Sequence, residues 1–148
     1  ESYETMKAQI QEMLHIEKGG DEQLKDELAA YNPLIPNGKE LVATLMFEID
    51  NPLSRAEFLN KVGGIEEKVF LKISGEIINS IPEQDVDRTS AEGKASSVQF
   101  IHFKFTEAQV EKFKNFSNEI IIGVDHEMYA HTVKLTENNK KALALDFD

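Results

Sequence analysis

The sequence predicts an α+β domain: a mainly antiparallel sheet of about six strands, supplied by two βαββ units, with helices packed on it. Three observations carry this. Val98 to Phe105 alternates, with Gln99, Ile101, Phe103 and Phe105 on one face and Val98, Phe100, His102 and Lys104 on the other. Helix-capping residues follow two such strands, at Asn51-Pro52 and at Thr106. The order strand, helix, strand, strand then occurs twice, over residues 41–81 and 98–135. Leu45-Met46-Phe47 and Ile101-His102-Phe103 stand at the same stage of each unit. Duplication would give this order, and so would chance recurrence of a common motif.

Residues 1–38 read as N-terminal helices and a connector. Tyr3 to Glu17 places Met6, Ile10, Met13 and Leu14 on one helical face, and Gly19-Gly20 stops the helix. Asp21 can cap a second helix with a buried stripe of Leu24, Leu28 and Tyr31. Pro33 ends that helix, and Pro33 to Gly38 forms a stiff connector with a turn at Asn37-Gly38.

The first βαββ unit spans 41–81. Leu41 to Ile49 is a strand, Asn51 caps a helix reaching Val62, and Gly63-Gly64 closes it. Glu67 to Ile73 and Glu76 to Ile81 form a hairpin turning at Ser74-Gly75. Residues 82–97 are a polar loop in which Val86 is the only sizeable apolar residue.

The second unit spans 98–135. Thr106 and Gln109 make a capping box, with Phe105 and Val110 placed for a hydrophobic staple. Ile120 to Ile122 suit a strand covered on both faces, and Gly123 within it marks a bulge or a close approach. Residues 136–148 are a C-terminal helix or tail capped by Thr136.

Composition narrows the function. The 148 residues make one domain, with a net charge of −11 that argues against binding nucleic acid. Cysteine is absent, which excludes disulfides, zinc–thiolate sites, protein-held iron–sulfur clusters and a cysteine nucleophile. No apolar run approaches the roughly 20 residues of a membrane span. With no secretory signal visible, a cytoplasmic protein is the default, although the start at Glu1 reads as a trimmed end.

The histidines supply one candidate site. His126 to His131 reads HEMYAH, one residue too long for the zinc-protease pattern, so its histidines fall off a common helix face. Glu12 to His15 is half of a di-iron carboxylate motif, and its second half is missing. In a hairpin with a four-residue turn over Glu127 to Ala130, His126 would stand opposite His131. Opposed Cβ atoms lie about 4.5–5.5 Å apart. Two imidazoles at that spacing can share a divalent metal ion, with Glu127 or a distant carboxylate completing the set. The plainer alternative is a histidine pair that stabilises the turn, with Tyr129 packed over it.

Five segments carry a family resemblance: QIQEMLHIE (Gln9 to Glu17), DELAAYNPLIPNG (Asp26 to Gly38), ATLMFEI (Ala43 to Ile49), SSVQFIHFKFT (Ser96 to Thr106) and GVDHEMYAH (Gly123 to His131). Together they resemble an uncharacterised bacterial family, domain of unknown function 3501. Its members extend further at the N-terminus with a basic segment and a strand, so the resemblance implies that this chain lacks a sheet element or carries it elsewhere. The family pattern has histidine at the position of Gln99 and arginine at that of His102. Its genes lie beside those of a rubrerythrin-like protein and an iron–sulfur oxidoreductase. The resemblance thus implies a redox or peroxide setting with those partners, and it transfers no catalytic residue. Three functions are therefore expected as alternatives: an accessory or binding protein of that redox system, a small metal-dependent enzyme using His126 and His131, or a structural self-associating subunit.

Overall fold

The computed structural model describes residues 1–83, 90 and 93–147. The expected α+β class holds, with seven strands among the described residues, divided between two antiparallel sheets instead of about six in one. The first sheet has the order β1-β5-β4, from Glu40–Met46 (β1), Val98–Lys104 (β5) and Ile81–Pro82 (β4). The second has the order β3-β2-β6-β7, from Glu76–Asn79 (β3), Val69–Ile73 (β2), Ile120–His126 (β6) and Tyr129–Lys134 (β7).

The two βαββ units interlock across both sheets. Each gives its first strand to one sheet and its hairpin to the other, so β1 pairs with β5 and β2 with β6. The second arm of the first hairpin also changes sheets. It pairs with β2 as far as Asn79, and beyond Ser80 it pairs with β5 as β4. Ser80 anchors the crossing: its Oγ donates to Glu66 O at 2.7 Å and its N–H to Val69 O at 2.9 Å. Pro82 has no N–H to give, which an edge strand tolerates.

Alternation sorts the side chains. Leu41, Ile101 and Phe103 of the first sheet meet Val69, Leu71, Ile73, Ile78 and Ile120 of the second in the main core. The helix Glu107–Lys114 (α4) adds Phe113 to this core, and the C-terminal segment adds Ala144 and Phe147. Phe105, Phe113 and Phe147 form a mutual ring cluster with centroids 4.8–5.8 Å apart. The expected Thr106–Gln109 capping box is present, and Thr136 caps Glu137–Leu143 (α5) in the same way with Asn139.

The opposite face of the first sheet is covered by the helix Tyr3–Glu17 (α1), through Met6 against Leu34 and Val42. That helix ends at Lys18, whose φ of 56° makes it a left-handed cap where glycine was expected. The next helix, Gly20–Tyr31 (α2), departs from expectation more sharply. Gly19 is its N-cap in place of Asp21, and none of its residues is buried. Leu24 and Leu28 remain 36% and 38% exposed, because α2 packs on α1 and its apolar stripe is only partly covered. The helix Pro52–Leu59 (α3) is capped by Asn51 as expected but stops short of Val62. Among the described residues, no helix is long and apolar enough to cross a membrane. Much of the expected polar loop 82–97, namely 84–89, 91 and 92, lies outside the described residues, as does 148.

Candidate functional site

Among the described residues, a cluster of three ionisable side chains that are mostly withdrawn from water lies on the helix-covered side of the first sheet. In β5, alternation turns Ile101 and Phe103 into the core, so His102 faces the other way. Its register partners are Val42 on one side and Ile81 on the other. The diagonal neighbours on that face are Glu40, two residues before Val42, and Glu83, two residues after Ile81. Both reach the imidazole. His102 Nδ1 lies 3.1 Å from Glu40 Oε2, and Nε2 lies 3.0 Å from Glu83 Oε2.

All three side chains are largely withdrawn from water: His102 is 12% exposed, Glu40 8% and Glu83 21%. Hydrogen bonds on both ring nitrogens need two protons among the three groups. Either an imidazolium sits between two carboxylates, or a neutral imidazole sits between one carboxylate and one carboxylic acid. Both arrangements leave a net charge of one negative unit on the cluster. A cavity of about 360 Å³ opens beside it, lined also by Asn37, Pro82 and Lys104. With each nitrogen engaged by the protein's own carboxylate, His102 works here as a clamp joining β1, β5 and the end of β4. It can serve as a general base only if one glutamate swings away.

The histidines singled out from sequence lie on the β6–β7 hairpin, in a different register from the one expected. His126 pairs with Tyr129 and Val124 with His131, so the loop is the two-residue Glu127–Met128. The two histidines share a face as diagonal neighbours rather than standing opposite each other. Neither loop residue adopts a left-handed conformation, the usual device for so tight a hairpin. Instead His126 Nδ1 accepts the Met128 N–H at 3.1 Å, closing the turn with a side chain. That bond fixes the tautomer, so Nε2 carries the proton and donates to Gly63 O at 3.2 Å.

Aromatic packing selects the same register. Tyr129 docks edge-on against Phe47 and Phe58 at 5.9 and 5.8 Å, pinning the hairpin to α3. His131 stacks on Tyr129 at 4.7 Å and lines an open depression of about 570 Å³ with Phe70, Asp125 and Thr132. A metal ion at His126 would have to displace one of its two ring bonds. Among the described residues, no group of three or more His, Asp or Glu is placed to hold a metal ion.

A family model described as a protein of unknown function (DUF3501) matches residues 1–147. The chain belongs to that family. Among solved structures, it is similar to a novel protein of unknown function from Burkholderia pseudomallei K96243, known from a crystal structure at 1.90 Å resolution. The two are 36% identical with a TM-score of 0.90, over 100% of this chain and 77% of the other. No curated protein matches.

The DUF3501 resemblance read from AYNPLIP and GVDHEMYAH thus extends along the chain, while the His102 cluster was not foreseen. Glu40 lies one residue before the expected first strand and Glu83 falls in the expected loop. Only the pairing of three strands brings them to His102. The one available signal was a histidine at an alternating strand position beside Phe100 and Lys104, which marks the face and not the partners.

Proposed function

We propose that this DUF3501 protein acts by binding, as a non-catalytic accessory protein of a redox or peroxide-response system. The partners implied by the family resemblance are a rubrerythrin-like protein and an iron–sulfur oxidoreductase. The observation that carries the reading is α2, a 12-residue helix with no buried residue, whose Leu24 and Leu28 are only partly covered by α1. An isolated helix of that length is marginal in water, and helices of this kind are normally held by burying their apolar face. A face left open on a short helix fits a surface completed by another molecule. The internally satisfied His102 cluster is consistent with this, since it offers a ligand no free ring nitrogen.

The test is a native pull-down from the source cell with the tagged chain, read by mass spectrometry. Stoichiometric recovery of either redox partner is expected. Repeated recovery of neither would overturn the assignment to that system. The metal-dependent alternative rests on the shared face of His126 and His131. Metal analysis of the purified native chain, with His126→Ala and His131→Ala beside it, decides that alternative.

A further inference from the structure

We propose that the outer edge of β7 pairs antiparallel with β7 of a second copy of this chain. The two four-stranded sheets then join into one of eight strands, across a two-fold axis at Thr132. This goes beyond the binding role above and does not rest on it.

β7 is the last strand of its sheet, so one of its sides has no strand beside it. Leu135 donates its N–H to Ile120 O at 2.8 Å, which makes those two a hydrogen-bonded pair. Counting back through the register, Val133, His131 and Tyr129 also turn their backbone groups to β6. Lys134, Thr132 and Ala130 therefore turn theirs outward, where no backbone group among the described residues meets them. Residues 130–134 are all exposed. The other edges are closed or blunted. β4 ends in Pro82, and β1 accepts the Glu1 amine at Val42 O. The four-residue β3 has Glu76 held to α4 by Gln109 and Lys112. β7 has no proline, glycine or bulge, and its one lysine stands at its end. An edge so bare invites an extended strand.

The side chains select a second copy as that strand. With the axis at Thr132, Thr132 faces its own equivalent, and opposed threonines are a favourable cross-strand pair. His131 faces Val133 of the other copy, and that valine, 60% exposed in a single copy, gains cover. Ala130 faces Lys134 of the other copy. Ala130 pairs with Asp125 on its other side, so the incoming lysine stands two strands from Asp125. That is about 10 Å between backbones, a gap that a lysine and an aspartate side chain close together. Asp125 has no ion pair of its own among the described residues. It shares the wall of the open depression on this face with Ala130 and Thr132, which leaves the lysine a path. Two-fold symmetry makes this contact twice. An axis at His131 would oppose two histidines, and one at Val133 would cut the overlap of the two strands to three residues.

The experiment uses the full chain in sedimentation equilibrium, where a reversible monomer–dimer equilibrium is expected. Thr132→Pro removes an N–H that points away from β6, so the fold should keep its circular dichroism while the dimer weakens at least about tenfold. Asp125→Lys should weaken it about tenfold by opposing two lysines, and adding Lys134→Asp should restore it. The chain has no cysteine, so single introduced ones report the register. Thr132→Cys should cross-link in air, since opposed Cα atoms in such a pair lie about 5.5 Å apart, within disulfide reach. Ala130→Cys should not, because it stands four residues, about 13 Å, from its equivalent.

A monomer at every concentration would overturn the proposal. So would a dimer indifferent to both Thr132→Pro and Asp125→Lys, or cross-linking of Ala130→Cys as readily as Thr132→Cys. A chain that stays monomeric while another protein shields the Thr132 amide from hydrogen exchange would assign the edge to that partner, and likewise overturn it.

Discussion

Phe70 lies directly across from Gly123 in the β2–β6 pair, and its ring occupies the space that a β-carbon at Gly123 would need. An ideal Cβ there would stand 2.6 Å from Phe70 Cζ and 2.8 Å from Thr132 Cγ2. We expect Gly123→Ala to destabilise the protein by about 1–3 kcal/mol, partly offset by the lower entropy of the unfolded chain. Adding Phe70→Ala should relieve the clash, so the double mutant should be more stable than the two single effects predict. A urea-denaturation cycle measures the coupling, and strict additivity would refute it.

Removing the His102 imidazole leaves the Glu40 carboxylate buried without its partner. His102→Leu should therefore cost about 3–5 kcal/mol in urea denaturation. His102→Arg should cost much less, because a guanidinium can donate to both Glu40 and Glu83. Equal losses in the two variants would mean that packing, rather than the paired charges, gives the position its weight.

Lys140 is buried at the start of the C-terminal segment, where its Nζ donates to Phe116 O at 2.5 Å and Asn118 O at 3.0 Å. Lys140→Met keeps the length of the side chain and orphans both carbonyls. A loss of about 1–3 kcal/mol is expected. Hydrogen exchange should rise first in the turn after α4 and in α5. Faster exchange spread evenly over the sheets would contradict a local tether.

Four exposed carboxyls, those of Glu57, Glu76, Glu119 and Glu137, are held below the ordinary glutamate range, each first by a hydrogen bond from a lysine side chain. The Lys112 and Gln109 side chains do this for Glu76, and the Lys134 side chain does it for Glu119. A carboxyl whose folded value lies below its unfolded value stabilises the fold above the unfolded value. That stabilisation is lost as pH falls through the folded value. Stability should therefore decline as pH falls below the ordinary glutamate range. Glu76→Gln combined with Glu119→Gln should flatten that decline, which thermal melts across a pH series would record. An unchanged slope would assign acid sensitivity to other groups.

What could be read from the sequence was local chemistry. Asn51 before Pro52, Thr106 with Gln109, and Ser74-Gly75, both at positive φ, state their structures through the backbone groups they satisfy or the conformations they allow. What could not be read depends on partners distant in the chain. The spacing of Leu24 and Leu28 announces an apolar stripe, but periodicity does not say whether the same chain will cover it. Ser80 looks like any strand residue until two different strands bid for its neighbours. The His126 hairpin carries no glycine or asparagine to announce a two-residue loop, because a ring nitrogen supplies what those residues usually provide. Glu40 and Glu83 become neighbours of His102 only through register.

The interlocking of the two units governs the order of events during synthesis. Leu41 waits for Phe103 and Leu71 for Ile122 before either can finish its sheet. A ribosome that has released only the first unit therefore presents a strand and a hairpin with open edges and no closed core. Such distant pairing slows the search for the native state and lengthens the time in which strand edges can meet other chains. Neither half holds the strand that pairs with its own first strand. A break between Asn79 and Val98 would separate two fragments that must find each other before the main core can close, because Leu41, Val69, Leu71 and Ile73 come from one and Ile101, Phe103, Phe113 and Ile120 from the other.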